Sequence, residues 1–295
     1  MRLGFIGIGN MGSELARHLL DAGHTISTFA RGKGSRAHAK RLGLSLLSSP
    51  AEVARVSEVV FTMVTAGSDV ESVALGPEGI VQGDVPGLIH VDMSTISPAI
   101  TREVGRRLSE RGIAMLDAPV SGGVAAAKTA SLTFFVGGDM TIFERVRSLL
   151  EIMGKTIFYM GPLGTGQVTK LANQIAQLAC LQGAAEALLF AREQGADAAR
   201  VREAVMTGLG GSRMLDVLGK KMVERDFAAG IVAALHHKDI GVALELAHDA
   251  GLPLPVTAQV MQQLNALMGS GYGEQDTSSL LLVLEQMRGQ KLPGS

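Results

Sequence analysis

The sequence predicts an α/β protein: a mainly parallel, doubly wound sheet in the N-terminal half, then an all-α C-terminal domain, joined by one long helix. Three observations predict it. Short apolar runs alternate with helical spacing from Arg2 to Met160, the pattern of strands connected by crossover helices. Strand signals stop after Tyr159, and only helical spacing recurs beyond it. Between the two regimes lies Leu171 to Ala191, an apolar run too long for a strand. A length of 295 residues suits two domains. They are expected over residues 1–162, the sheet, and 163–291, the helices with the joining helix included.

The first strand, Arg2 to Ile6, runs into Gly7-Ile8-Gly9-Asn10-Met11-Gly12. Helical spacing follows from Ser13 to Ala22, with Leu15 and Leu19 on one side and Gly23 as the stop. A glycine turn between a strand and a capped helix is the context that the dinucleotide fingerprint requires, so the first domain is expected to be a Rossmann fold. Gly7 allows the tight turn, Gly9 lets the backbone approach a pyrophosphate, and Gly12 lets helix and strand pack closely. The helix N-terminus adds N–H donors and a favourable dipole. The six residues from Gly7 to Gly12 are therefore candidate cofactor contacts.

The second strand, Thr25 to Phe29, ends in Ala30-Arg31-Gly32-Lys33. An NAD enzyme usually carries Asp or Glu there for the ribose 2′-hydroxyl. Here no carboxylate stands at the strand end to repel a 2′-phosphate, and two cations stand ready to attract one. On that logic NADP(H) is preferred over NAD(H), with Arg31 as the phosphate contact. Further strands are expected at Val59 to Met63, Leu88 to Val91, from Ala114, at Ser131 to Val136 and at Thr156 to Met160, with helices from Pro50, through Val73, over Pro98 to Arg111 and over Met140 to Met153. The strand around Leu132 has no clear helix before it and is expected to run antiparallel. Ligands of such folds bind at the carboxyl ends of strands, which makes Met63, Val64 and Thr95 candidate cofactor contacts. After Asp117-Ala-Pro119-Val, the run Ser121-Gly122-Gly123 exposes successive N–H groups beside a hydroxyl, the geometry of an anion nest.

Composition excludes some functions. Lys+Arg number 27 and Asp+Glu 28, so no basic field exists to draw in nucleic acid or an anionic membrane. The joining helix is interrupted by Asn173, Gln174, Gln177, Gln182 and Glu186, which argues against a membrane span. The single cysteine, Cys180, forbids an intrachain disulfide and is expected to pack as a small core residue. With no signal-peptide layout before the first strand, a cytoplasmic location is expected.

The stretch from Gly164 to Gln174 carries the sharpest chemistry. A glycine-bearing turn enters the helix, whose first turns hold Lys170, Asn173 and Gln174 on one face, with Gln177 extending the stripe. Leu171, Ile175, Leu178, Leu181, Ala185 and Leu188 are read as the opposite, core-facing side. Later helices are expected over Val201 to Met206, Met214 to Val223, Lys238 to Ala250, Val256 to Met268 and Ser278 to Met287, with a loose tail from Lys291 to Ser295. His236-His237-Lys238-Asp239 is expected to open the third of these. Adjacent histidines point apart on a helix and no ligand set completes them, so no metal site is expected. Lys238 runs against the dipole of a helix start, which suggests that it faces a ligand phosphate or carboxylate.

Together Gly7-x-Gly9-x-Met11-Gly12, Asp117-Ala-Pro-Val-Ser-Gly-Gly123, Gly164-x-Gly166-x-x-x-Lys170-x-x-Asn173 and Lys238-Asp239 resemble, in order and over nearly the whole chain, the four signatures of the β-hydroxyacid dehydrogenase family. Lys170-Leu-Ala-Asn-Gln174 and Ala185-Glu-Ala-Leu-Leu189 are most similar to its tartronate semialdehyde (2-hydroxy-3-oxopropionate) reductase branch, with 3-hydroxyisobutyrate dehydrogenases close by. The resemblance implies that Ser121, Gly122 and Gly123 hold the substrate carboxylate, that Asn173 and Gln174 help orient it, and that Lys170 and Asn173 form the catalytic pair. It also implies that Thr95 and Lys238 contact the nicotinamide cofactor. Where many members have a second asparagine this chain has Gln174, and Ala126 and Ala130 stand where glycines are common.

The expected chemistry follows. Hydride transfer to an aldehyde carbon builds negative charge on its oxygen, and a lysine ammonium stabilises that charge and supplies the proton. The favoured reading is an NADPH-dependent reductase of a small semialdehyde acid, with tartronate semialdehyde to glycerate as the best guess. Alternatives are a 3-hydroxyisobutyrate dehydrogenase, a glyoxylate or succinic semialdehyde reductase, an imine reductase of similar architecture, and a non-catalytic nucleotide-binding interaction module. The all-helical half looks too apolar for one chain to bury, so a homodimer or homotetramer is expected, with a small carboxylate as ligand and neither nucleic acid nor membrane as partner.

Overall fold

A computed structural model of the chain describes residues 1–289. The expected tail from Lys291 to Ser295, and the end of the expected second domain, lie outside the described residues. Two compact units are present, Met1–Lys170 and Leu171 onwards. The division falls inside the long helix.

The first unit alternates strands and helices: β1 (Arg2–Ile6), α1 (Asn10–Asp21), β2 (Thr25–Thr28), α2 (Lys33–Arg41), β3 (Ser45–Leu46), α3 (Pro50–Arg55), β4 (Val59–Thr62), α4 (Gly67–Leu75), β5 (Ile89–Asp92), α5 (Pro98–Ser109), β6 (Ala114–Asp117), β7 (Val120–Ser121), α6 (Gly123–Lys128), β8 (Leu132–Gly137), α7 (Met140–Met153) and β9 (Gly154–Gly161). Among the described residues these strands form one sheet, whose first part runs β3-β2-β1-β4-β5-β6 with every pairing parallel. That is the doubly wound Rossmann order, and the strand order reverses between β1 and β4, where ligands of such sheets bind. β4 and β5 are buried at every residue, as strands covered on both faces must be. Successive side chains divide between the two faces. Phe5, Phe61, Val91 and Leu116 enter one core with Leu15 and Leu19 of α1, while Ile6 and Val60 enter another with Val104 and Leu108 of α5. β8 pairs antiparallel with β6 and β7, as expected, although the short helix α6 precedes it, and pairs parallel with β9.

Helix α8 (Thr165–Glu193) carries the chain into the second unit, followed by α9 (Ala198–Met206), α10 (Arg213–Glu224), α11 (Ala233–Asp249), α12 (Pro255–Gly269) and α13 (Leu280–Met287). Asp197 caps α9 by accepting from the N–H groups of Ala199 and Arg200, and Ser212 caps α10 by accepting from Leu215. Leu178, Leu181, Ala185 and Leu188 of α8 meet Leu218, Ile240 and Leu264 in the core of this unit.

Two expectations are corrected here. Cys180 is exposed rather than part of the core. At 3.6 residues per turn it stands about 280° around from Lys170, on the far side of the helix from the leucines. Helix α11 begins at Ala233, so His236 to Asp239 lie inside it and not at its start. The dipole argument for Lys238 loses its basis, because the effect fades within the first turn.

Candidate active site

At the carboxyl ends of β1, β2 and β4 the first unit holds a cleft of about 240 Å³. It is lined by Ile6 to Gly9, Phe29 to Gly32, Ser35, Met63 to Thr65, Asp69 and Val73. Of the candidate cofactor residues, Gly7, Ile8, Gly9, Arg31, Met63 and Val64 meet in this cleft; Asn10, Met11, Gly12 and Thr95 are not among its lining residues. Gly7 has φ of 102°, where a side chain is strained, and a Cβ there would collide with the Met63 carbonyl. A Cβ on Gly12 would strike the Gly7 carbonyl, whereas one on Gly9 would meet nothing within 4 Å. The turn is thus tight on its inner side and open on the side of the helix N-terminus, a cradle suited to a diphosphate.

The expectation that no carboxylate approaches the 2′-phosphate position needs correction. Asp69, on α4, places Oδ1 3.0 Å from the Arg31 guanidinium. Its Oδ2 accepts from the Ala66 N–H at 3.2 Å. The sequence logic looks only at the end of β2, and this carboxylate arrives from the next wall of the cleft.

A buried polar network shapes the loops after β4 and β5. Thr62 donates to Asp92 Oδ1 at 2.7 Å, and the Ser94 hydroxyl donates to the same oxygen at 2.7 Å. Ser94 Oγ also accepts from the Val64 N–H at 3.0 Å. Ser94 therefore joins the two segments that carry Val64 and Thr95. Since Thr62 gives its proton to Asp92, the ring of the fully buried His90 donates to Thr62 from Nε2, 2.9 Å away. Burial pulls the His90 imidazole down to about 4.

Ser121 ends β7, and Gly122 and Gly123 lead straight into α6, a helix of six residues. Gly122 has φ of 132°, and a Cβ on it would stand 2.5 Å from the Ala126 methyl. The nest expected as a strand-end turn is therefore the entry to a short helix packed behind Ala126. Asp117, at the end of β6, turns to α8: its Oδ1 accepts from the Gly164 N–H at 2.7 Å and its Oδ2 from the Gln167 N–H at 2.8 Å. Burial pushes the Asp117 carboxyl up to about 6, against the pull of those backbone bonds.

On α8, Lys170 is buried at 8% exposure and Gln174 at 2%. The polar stripe and the leucines do not stand on opposite sides. Leu181 and Leu188 follow Lys170 by eleven and eighteen residues, which returns them to nearly its own angle at 3.6 residues per turn. They are successive stretches of one buried face.

In the second unit, Gln174 Nε2 donates to Asp239 Oδ2 at 2.7 Å, and Lys238 Nζ lies 3.0 Å from Asp239 Oδ1. Asn173 Nδ2 donates to Gln174 Oε1 at 3.0 Å and to Gln177 Oε1 at 3.3 Å. Gln177 Nε2 meets His236 Nε2 at 3.0 Å, and His236 Nδ1 meets Thr277 Oγ1 at 2.8 Å. Thr277 donates to the Ile231 carbonyl, so His236 donates from Nδ1 and accepts at Nε2, as a neutral imidazole. With both amide hydrogens given away, Asn173 offers its carbonyl oxygen. Among the described residues no group of three or more His, Cys, Asp or Glu is arranged to hold a metal, and no helix is long and apolar enough to cross a membrane.

Comparison with known proteins fits this geometry. Residues 2–161 match the family description "NAD binding domain of 6-phosphogluconate dehydrogenase", and residues 164–284 match "NAD-binding of NADP-dependent 3-hydroxyisobutyrate dehydrogenase". The chain is 40% identical to 2-hydroxy-3-oxopropionate reductase of Escherichia coli (strain K12) over 99% of its own length and 100% of that protein's. The chain belongs to the β-hydroxyacid dehydrogenase family. It is an oxidoreductase acting on a hydroxyl group, with NAD(P)-binding domains. It is also 37% identical to the probable 3-hydroxyisobutyrate dehydrogenase-like 1 of Arabidopsis thaliana, over 100% of this chain and 88% of that one. Among solved structures, Mycobacterium tuberculosis 3-hydroxyisobutyrate dehydrogenase with L-serine superposes at a TM-score of 0.88, with 28% identity over 96% of this chain and 98% of that one.

Sequence reasoning missed Asp69, Ser94 and the reach of Asp117 and Gln167. Asp117 and Gln167 stand within the quoted signatures, but nothing in their spacing reveals that one receives the helix start bearing the other. Ser94 follows a strand end beside Thr95, a place where a hydroxyl can bridge two loops.

Proposed function

We propose that the protein is an NADPH-dependent reductase that interconverts a small semialdehyde acid and its hydroxyacid, with tartronate semialdehyde and glycerate as the favoured pair. The observation that carries this reading is a buried lysine, Lys170, on the first turns of α8 with the amides Asn173 and Gln174 beside it on the helix. The full-length similarity to a 2-hydroxy-3-oxopropionate reductase supports the substrate. The C-terminal match and the Arabidopsis relative favour a second reading, a 3-hydroxyisobutyrate dehydrogenase.

The glycine turn from Gly7 to Gly12 would hold the cofactor diphosphate, Arg31 the 2′-phosphate, and Met63, Val64, Thr95 and Lys238 the nicotinamide side. When bound, the cofactor supplies the hydride. Ser121 with the N–H groups of Gly122 and Gly123 holds the substrate carboxylate. Lys170 gives its proton to the oxygen as charge builds there in reduction, and takes it back in oxidation. Asn173, with only an acceptor to offer, takes a hydrogen bond from a substrate hydroxyl other than the one that exchanges its proton with Lys170, such as the 2-hydroxyl of tartronate semialdehyde, a role that suits its orientation better than holding a carboxylate.

The test is steady-state kinetics with NADPH and NADH over tartronate semialdehyde, methylmalonate semialdehyde (the aldehyde acid that reduces to 3-hydroxyisobutyrate), glyoxylate and succinic semialdehyde. The largest kcat/KM is expected for tartronate semialdehyde with NADPH; a preference for the second substrate selects the second reading. Lys170→Ala should lower kcat by about 10²–10⁴ with cofactor affinity little changed. Near-normal turnover would remove Lys170 from its role.

The protein is further proposed to work in the cytoplasm as a homodimer or homotetramer. The outer face of α8 supports this: Ala172, Ala176, Cys180, Gly183, Ala187 and Phe190 are all exposed and uncharged. Sedimentation at micromolar concentration showing only a 30.8 kDa species would contradict it.

A further inference from the structure

Gln167 is the third residue of α8, and its side chain is wholly buried. Its Oε1 accepts from the Ile96 N–H at 3.1 Å, and its Nε2 donates to the Ser94 carbonyl at 2.8 Å. The carboxamide thus closes on the backbone either side of Thr95. Its own N–H is held by Asp117 Oδ2, while Gly164 is held by Oδ1. The approach is close: a Cβ on Gly166 would lie 2.8 Å from Asp117 Oδ2 and against the Phe135 carbonyl. The first turn of α8 is therefore fastened to the ends of two neighbouring strands, β5 and β6. Lys170 follows Gln167 by three residues, within the 5–6 Å of side-chain neighbours on a helix.

We propose that Gln167 is a positioning residue for the reaction: its carboxamide holds the loop bearing Thr95 against the helix turn bearing Lys170, so that the nicotinamide contact and the proton donor keep one separation. This rests on the roles given to Thr95 and Lys170 under the proposed function. The chemistry of the side chain fits the task. The loop presents one N–H and one C=O, and an amide answers both at once. A glutamate keeps the acceptor for Ile96 but turns a second acceptor toward the Ser94 carbonyl. A methionine keeps the length and loses both bonds. Displacements near 1 Å in a reacting pair cost up to about a hundredfold in rate, so a brace between the two partners is felt in kcat before it is felt in binding.

The experiment compares wild type, Gln167→Met and Gln167→Glu in thermal unfolding, NADP⁺ affinity, kcat, KM and the primary isotope effect with 4-deuterated NADPH. For Gln167→Met, kcat should fall about 10- to 100-fold. KM and cofactor Kd should move less than about threefold, and the isotope effect on kcat should rise as hydride transfer becomes slower. Gln167→Glu, which keeps the Ile96 bond and when protonated can donate to the Ser94 carbonyl, should recover kcat toward wild type as the pH is lowered, and it carries the test if the methionine variant does not fold. A lowered Tm with wild-type kcat and isotope effect would reduce Gln167 to satisfying two buried backbone groups and overturn the proposal. A wild type that turns over no hydroxyacid or semialdehyde defeats the functional reading instead. The brace is then read from hydrogen exchange of the Ile96 amide, whose protection must drop in Gln167→Met; unchanged protection overturns it.

Discussion

Asp69→Asn tests how far a carboxylate across the cofactor cleft tempers Arg31. The two side chains lie 3.0 Å apart, and that of Arg31 is 63% exposed. A pair so open to water is worth about 0.2–1 kcal/mol, which a 2′-phosphate must replace. The phosphate also meets the carboxylate's own field. A doubly charged phosphate about 6 Å from a unit negative charge costs about 1.4 kcal/mol at the dielectric of water. Removing the charge therefore releases about 2 kcal/mol, a tenfold to thirtyfold tightening. Asparagine keeps a carbonyl oxygen for the Ala66 N–H, so the start of α4 keeps its hydrogen bond. Titration calorimetry with NADP⁺ and NAD⁺ at low ionic strength should show NADP⁺ binding about tenfold tighter or more, and NAD⁺ changed by less than about twofold. The difference should shrink in about 0.5 M salt, where exposed charges are screened. If both cofactors shift together, or neither does, Arg31 does not read the 2′-phosphate against Asp69.

Two further outcomes concern stability. His90 is neutral in the fold because burial pulls it down to about 4, from 6.5 when exposed. Its contribution is fully present above pH 6.5 and is lost as the pH falls toward 4, about 2 kcal/mol of it between pH 7 and 5. His90→Gln should remove that slope in urea unfolding at the two pH values; an unchanged slope would mean that the imidazole is not buried neutral. Asp117 acts with the opposite sign: its carboxyl, raised from 3.8 to about 6, favours the fold below 3.8 and loses that contribution as the pH rises through 6, and this part should survive the His90 change. Ala130 has φ of 50°, which costs an alanine about 1–2 kcal/mol. Ala130→Gly should therefore stabilise by about 0.5–1 kcal/mol after glycine's greater unfolded-state freedom is counted, and a loss of stability in the same urea assay would show that the backbone there is not strained.

What the sequence makes legible is what one residue's chemistry demands locally. Gly7 must take a conformation closed to other residues, and it does so between a strand and a helix, so the cofactor turn can be located from residue order alone. The buried strand β4 announces itself by the apolar run Val59 to Phe61, whereas β5 sets His90 and Asp92 among its apolar residues. Helix α2 leaves no such mark because it buries only Ala39, and a single apolar position gives no period to detect. Helix α6 is too short for one, and β3 has two residues, both exposed. Asp69 is hidden for a different reason. It faces Arg31 from 38 positions further on, and no spacing rule links a strand end to the first turn of the helix after another strand. Cys180 sits amid leucines in the sequence but not on their face, and only following the helix at about 100° per residue separates the two.

The orientation of Asn173 shows how a distant residue decides what a local motif can offer. Asp239 has a carboxylate, which in its ionised form only accepts. Gln174 must therefore turn its nitrogen toward Asp239 and its oxygen toward Asn173. Asn173 must answer that oxygen with its own nitrogen, and Gln177 Oε1 takes the other hydrogen. Gln177 is in turn constrained by His236, whose Nε2 accepts because Nδ1 is committed to Thr277. Both ends of the chain of amides agree, and the atom left over on Asn173 is an acceptor. A second asparagine in place of Gln174, one methylene shorter, would not span to Asp239 from the same backbone position. The glutamine therefore sets, through Asp239, the polarity of the neighbouring amide, and so, under the proposed function, the kind of group that Asn173 can offer a substrate.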